Sequence, residues 1–133
     1  MAITPYQSNR VLNNLFGAAT FSPEGTLYIG LSTTALNQNG GGYTEPTGAG
    51  YARVTVQNNK TNWGQASNSS VTNATAITFP ESTSSWGTIT HVFIADAPTG
   101  GNVLYWDALT QPRAVAPLTT LMFSANTLKV TLT

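Results

Sequence analysis

The stretch that decides the fold runs Ser85-Ser-Trp-Gly-Thr-Ile-Thr-His-Val-Phe-Ile-Ala-Asp-Ala-Pro-Thr-Gly-Gly-Asn-Val-Leu-Tyr-Trp106. It carries the chain's only histidine and two of its three tryptophans, residue types that binding sites favour. Its pattern is nevertheless that of two strands. β-Branched and aromatic residues fill Gly87 to Ala95 and Asn102 to Leu109, and Gly100-Gly101 between them supplies the backbone freedom of a turn. On a strand His91 shares a face with Ile89, Phe93 and Ala95, while Asp96, the nearest acid, points the other way. A general base needs an orienting partner and a nucleophile within hydrogen-bond reach, and this spacing supplies neither. The stretch reads as a hairpin, with His91, Trp86 and Trp106 as residues of the fold.

Working outward, the same period of two recurs. Thr26 to Ser32 places Leu27, Ile29 and Leu31 on one face, and Tyr51 to Gln57 sets Tyr51, Arg53 and Thr55 against Ala52, Val54 and Val56. Further strands are expected over Thr75–Phe79, Arg113–Ala116, Thr119–Ser124 and Thr127–Leu132, eight in all. One segment breaks the period. Ser8 to Gly17 carries Val11, Leu12, Leu15 and Phe16 at helical spacing, with Ser8 placed as an N-cap and Gly17 as a stop. Its stripe is narrow and must dock on the sheet or on a neighbouring chain.

Many short strands, Gly- and Pro-rich turns and one short N-terminal helix predict an all-β fold, an antiparallel two-sheet sandwich of jelly-roll-like type. The 133 residues form a single domain, with residues 1–25 as an N-terminal segment bearing the helix and residues 26–133 as the sandwich. The strands 87–95 and 102–109 are apolar on both faces. They are expected at the centre, one face against the second sheet and the other under the helix or a partner.

The composition excludes several function classes. Charged residues make up 8% of the chain, about a third of the usual share, and five basic residues balance five acidic ones. Such a surface offers no electrostatic footprint for nucleic acid or an anionic membrane. No apolar run approaches the ~20 residues of a membrane span. With no cysteine and one histidine, the usual zinc ligand sets are out of reach, and the acids show no calcium-loop spacing. The glycine clusters lack the strand-loop-helix setting and the lysine of a phosphate loop, and no Gly-x-Ser-x-Gly elbow occurs. No catalytic, cofactor-binding or metal-ligating residue is expected. A neutral surface does little to resist self-association, so a symmetric dimer or trimer is expected.

Arg53 stands out among the few charges. A guanidinium can hold a carboxylate with two parallel bonds, and Glu45, Asp96 and Asp107 are its candidate partners. The aromatic residues Trp63, Trp86, Trp106, Tyr28, Tyr43, Tyr51 and Tyr105 fit core packing, and a sugar-stacking platform is the second reading.

Taken in order, Leu27-Tyr-Ile-Gly-Leu-Ser-Thr-Thr34, Gly48-Ala-Gly-Tyr-Ala-Arg-Val54, Ala76-Ile-Thr-Phe-Pro80, Trp86-Gly-Thr-Ile-Thr-His91 and Gly100-Gly-Asn-Val-Leu104 resemble a family of short virion proteins of tailed phages. Members are often labelled tail-fibre proteins, and similar small sandwiches serve as decoration or cement proteins on icosahedral heads. The resemblance extends from the Val11–Phe16 helix through Leu128-Lys-Val-Thr-Leu132. The family pattern has a Gly-Asp turn before its Phe-containing strand, where this chain reads Pro117-Leu-Thr-Thr-Leu-Met-Phe123.

The resemblance implies a non-enzymatic structural protein of the virion, with no catalytic role to carry over. Its implied partners are copies of itself and the major capsid protein, or else tail proteins. A fibre normally projects its tip on a long shaft, and this chain has none. The expectation is therefore a head decoration protein that cements the shell, with a tail-fibre component binding host polysaccharide as the alternative. Val11, Leu12, Leu15, Phe16 and Tyr43 are the interface candidates.

Overall fold

The computed structural model describes residues 1–132, which form nine strands and one helix. In chain order these are β1 (Ala2–Ile3), α1 (Pro5–Leu15), β2 (Thr26–Ser32), β3 (Val54–Gln57), β4 (Ser70–Thr72), β5 (Ile77–Thr78), β6 (Gly87–Ala95), β7 (Val103–Val115), β8 (Met122–Phe123) and β9 (Lys129–Thr131). A five-stranded antiparallel sheet, ordered β1-β7-β6-β2-β3, makes one layer. The facing layer consists of two short ladders, β4–β9 and β5–β8. The all-β sandwich expected from the strand pattern is thus present, with its second sheet divided in two. No helix among the described residues is long and apolar enough to cross a membrane.

The main core lies between the layers. Leu27, Ile29 and Leu31 of β2, as their alternation predicts, meet Val92 and Ile94 of β6, Leu104 of β7 and, from the opposite layer, Ile77, Phe79, Leu128 and Val130. A single buried asparagine ties the two ladders of that layer together. Asn73 donates from Nδ2 to the carbonyls of Thr75 (2.9 Å) and Ser124 (3.0 Å), and its Oδ1 accepts from the amides of Thr127 (3.2 Å) and Leu128 (2.9 Å). All four side-chain hydrogen bonds join short segments whose own ladders are too brief to hold them.

The outer face of the large sheet is also covered, which explains why β6 is apolar on both sides. Phe93, Ala95 and Val103 pack with Leu36, and with the half-buried Tyr43 and Trp106. The cover is the chain's own loop between β2 and β3, not the helix or a partner as expected. Asn37 Oδ1 shapes that loop by accepting from the amides of Asn39 and Gly41, both at 3.0 Å. Phe93 lies over Gly30, its register partner on β2, where any side chain would collide with the ring.

Three local expectations need correction. The helix begins at Pro5, not after Ser8: Thr4 is extended, its Oγ1 accepts from the amide of Gln7, and Pro5 occupies the first turn. The strands expected at 102–109 and 113–116 form one strand, β7. Opposite Ile89 and His91 of β6 stand Arg113 and Ala108 of β7, so two steps on one strand face five on the other and Leu109–Pro112 bulge outward. That bulge also shifts the phase of β6. Ile89 joins Val92 and Ile94 in the main core, and His91 does not share its face.

Candidate functional site

The opening hairpin is real: β6 and β7 pair antiparallel from Gly87↔Val115 to Ala95↔Val103. Its connection is longer than a two-residue turn. Gly100 and Gly101 both take positive φ, and Asp96 closes the loop by accepting from the Asn102 amide at 2.7 Å. His91 is half-buried, with Nδ1 2.8 Å from the neighbouring Thr90 hydroxyl and its ring 6.2 Å from Trp106. No carboxylate forms an ion pair with it among the described residues, and no group of three His, Asp or Glu side chains stands close enough to share a metal there.

Trp86 is buried at the sheet end. Its Nε1 donates to the Ala49 carbonyl at 2.9 Å, and its ring meets Tyr51 edge-on at 5.3 Å. Trp106 lies half-buried over the outer cluster, with an indole N–H that has no acceptor among the described residues. Tyr43 is stacked at a tilt on Phe93, 4.8 Å between centroids. Its ring closes the chain's own outer cluster.

Arg53 takes Glu45 from among the three acids considered. Nε and Nη2 reach the two carboxylate oxygens at 3.0 and 2.7 Å, and Nη1 donates to the carbonyls of Ala97 (2.7 Å) and Gly100 (2.9 Å). The guanidinium also lies 5.0 Å from the Phe93 ring centre. Burial alone would lower its pKa, but the hydrogen bonds and charge of Glu45 outweigh that, and the net shift is upward. One side chain thereby links the β2–β3 loop to the β6–β7 loop. Tyr51 extends the cluster, donating to Glu45 at 2.6 Å and accepting from the Leu31 amide at 3.0 Å. Burial first, then the bond to Glu45, push the Tyr51 hydroxyl pKa well above its ordinary value. The arrangement has no open face for a substrate. It is a clamp between loops.

The helix presents the opposite case. Gln7 is buried and donates to the Tyr105 hydroxyl at 3.2 Å, which fixes the inner face of α1 on β7. Val11 is half-buried, whereas Leu12, Leu15 and Phe16 are 50%, 67% and 83% exposed. Three large apolar side chains standing together in water on one end of a helix are unusual for an isolated domain. They are the expected interface residues, and the sandwich leaves them uncovered.

A family model described as podophage GP4 fiber I protein gp80 matches residues 2–131. The chain belongs to this family. Membership makes it a structural protein of a tailed-phage virion, as the sequence resemblance implied. The fiber I description favours the tail-fibre alternative over head decoration. The missing shaft was a poor discriminator, because a fibre can be assembled from several different chains and each need not contain the shaft. No curated protein matches the chain.

Proposed function

We propose that the chain is a non-enzymatic fibre component of a tailed-phage virion, seated on the neighbouring tail structure and paired with a second copy of itself through the exposed end of α1. The fiber I family match across nearly the whole chain carries this reading. The surface chemistry supports it. A nearly uncharged sandwich with its loops clamped by Arg53 and Asn73 is a rigid building block, and the Leu12, Leu15 and Phe16 flank gives it an adhesive end.

The magnitude fits an assembly contact. Fully burying such side chains stabilises by roughly 1.5–3 kcal/mol each, and at their observed exposures two reciprocal flanks would contribute on the order of 8 kcal/mol. Association costs about as much in lost rigid-body freedom, so the flank alone gives a weak pair that adjoining surfaces and repetition in the particle must strengthen.

Particles assembled without this chain provide the test. A fibre component predicts that they release their DNA at an unchanged temperature and fail to adsorb to the host. A lowered release temperature with normal adsorption would overturn the reading and return the protein to the head shell.

A further inference from the structure

Of the chain's asparagines only Asn39 is followed by glycine, and every other one precedes a residue with a side chain. The pair is reactive for a steric reason. The main-chain nitrogen that follows an asparagine can attack its side-chain carbonyl and close a succinimide ring, and glycine puts no Cβ in the way. The fold cannot exchange that glycine. Gly40 is buried at φ 84°, and a Cβ there would stand 2.7 Å from Cβ of Val103 and 3.1 Å from Cγ2 of Thr4. The residue that lets the β2–β3 loop settle on β7 therefore also makes its neighbour labile.

The loop restrains this chemistry with a cage of hydrogen bonds. Gly40 donates its N–H to the Asn37 carbonyl at 2.9 Å, and Asn37 donates its own to the Gly41 carbonyl at 2.8 Å. Asn37 Oδ1 accepts from the amides of Asn39 and Gly41, both at 3.0 Å. The nitrogen that would attack is thus held by its proton and turned into the loop. Its target, the Asn39 side chain, is exposed and makes no hydrogen bond among the described residues. With the electrophile free and the nucleophile restrained, local opening of the loop decides the rate.

We propose that Asn39–Gly40 is a self-modification site, converted through a succinimide to isoaspartate at a rate set by the Asn37 cage. Gly40 N loses its proton and bonds to Asn39 Cγ, while the C–N bond of the side-chain amide breaks and ammonia leaves. Water then opens the ring. Opening at the main-chain carbonyl gives isoaspartate, with the chain running through Cβ and Cγ and a new carboxylate beside it, and opening at Cγ gives aspartate. Water is the only co-reactant. The isoaspartate detour lengthens the backbone by one carbon inside the cage, so Asn37 Oδ1 can no longer meet both amides. Leu36 and Tyr43, on either side of the cage, then loosen over Phe93 and Val103. The result is an irreversible opening of the outer cluster that accumulates with age, independent of where on the particle the chain stands.

The reaction is followed by peptide mapping with mass spectrometry and by labelling with an isoaspartate-specific methyltransferase, in folded and in urea-unfolded protein kept in warm, mildly alkaline buffer. Three hydrogen bonds, the one from Gly40 and the two to Asn37 Oδ1, must release together before the nitrogen is free, so conversion at residue 39 should be on the order of a hundredfold slower in the folded protein. Asn37→Ala deletes the two Oδ1 bonds and should speed the folded reaction by roughly tenfold to thirtyfold while leaving the unfolded rate unchanged. Asn37→Asp keeps an acceptor for both amides and should stay near the native rate. Asn39→Ser should abolish the label. In the separated isoaspartate form, amide exchange at Leu36 and Tyr43 should be faster than in the unmodified protein, with Ile89 and Val92 unchanged.

Equal rates in folded and unfolded protein would overturn the control by the cage, a comparison that needs no variant. An Asn37→Ala rate equal to the native one would do the same. Folded protein still unlabelled at residue 39 after several hundred half-lives of the unfolded reaction would overturn the site. Unaltered exchange at Leu36 and Tyr43 in the isoaspartate form would overturn the opening of the outer cluster.

Discussion

Replacing Arg53 by Ala should be the most damaging change available among the charged residues, and the structure sets its size. The Arg53 side chain is 1% exposed and the Glu45 side chain 20%. Removing the guanidinium deletes four hydrogen bonds and leaves a mostly buried carboxylate with only the Tyr51 hydroxyl. The carbonyls of Ala97 and Gly100 also lose their donor. Breaking a buried ion pair from one side costs about 3–5 kcal/mol, and partial solvent access to Glu45 places the value near 3. Lost packing of the arginine stem on Phe93 adds to it. For a domain of this size the total lowers Tm by roughly 12–15 °C.

Arg53→Lys, which keeps the charge and loses the fork, should fall between Ala and the native residue. Urea and thermal unfolding followed by circular dichroism measure all of these, with the exposed Lys60→Ala as the reference. If Arg53→Ala and Lys60→Ala shift the midpoint equally, the clamp contributes nothing and the reasoning fails.

Tyr51 gives a pH signature: its folded pKa lies above the usual 10.0, so the unfolded chain ionises first as pH rises. Stability from this group is complete below about pH 10 and should decline above it by up to about 1.4 kcal/mol per pH unit, a slope that Tyr51→Phe removes from urea midpoints measured across that range. Leu118, where the Gly-Asp turn of the family pattern is missing, holds φ 58° while 75% exposed. Leu118→Gly should therefore raise stability by about 1 kcal/mol in the same assay, and a loss would show that the side chain has a contact in the assembly. The double change Leu15→Ser with Phe16→Ser should leave Tm nearly unaltered and shift the protein to monomer in sedimentation equilibrium. The unchanged protein should remain associated in molar salt, because apolar contacts persist where ion pairs are screened.

The parts of this fold that were legible in the sequence are those with a sustained period. β2 read correctly because alternation over seven residues leaves one register that buries Leu27, Ile29 and Leu31, whereas β6 was legible in its bounds but not in the face of Ile89, which the bulge moves. The N-terminal start of α1 carried a readable signal in Thr4-Pro5, an N-cap followed by a first-turn proline, yet Ser8 looked equally suitable. β1 and β4 span two and three residues, too few for any period, and exist because β7 and β9 offer them an edge. The bulge at Leu109–Pro112 was hidden because Pro112 reads as a break, whereas the strand passes through it by leaving the ladder.

The Arg53 cluster was half legible. The residue stood out by rarity, but the choice of Glu45 depends on how the β2–β3 loop folds back, which no local pattern encodes. The exposed flank of α1 was foreseen because a short helix on a small sandwich has more apolar residues than one face can bury.

The placement of the protein on the particle tests the central claim most directly. Electron microscopy of virions labelled with antibody against this chain should show label on the tail fibres and none on the head surface. Label spread over the head with bare fibres would contradict the account.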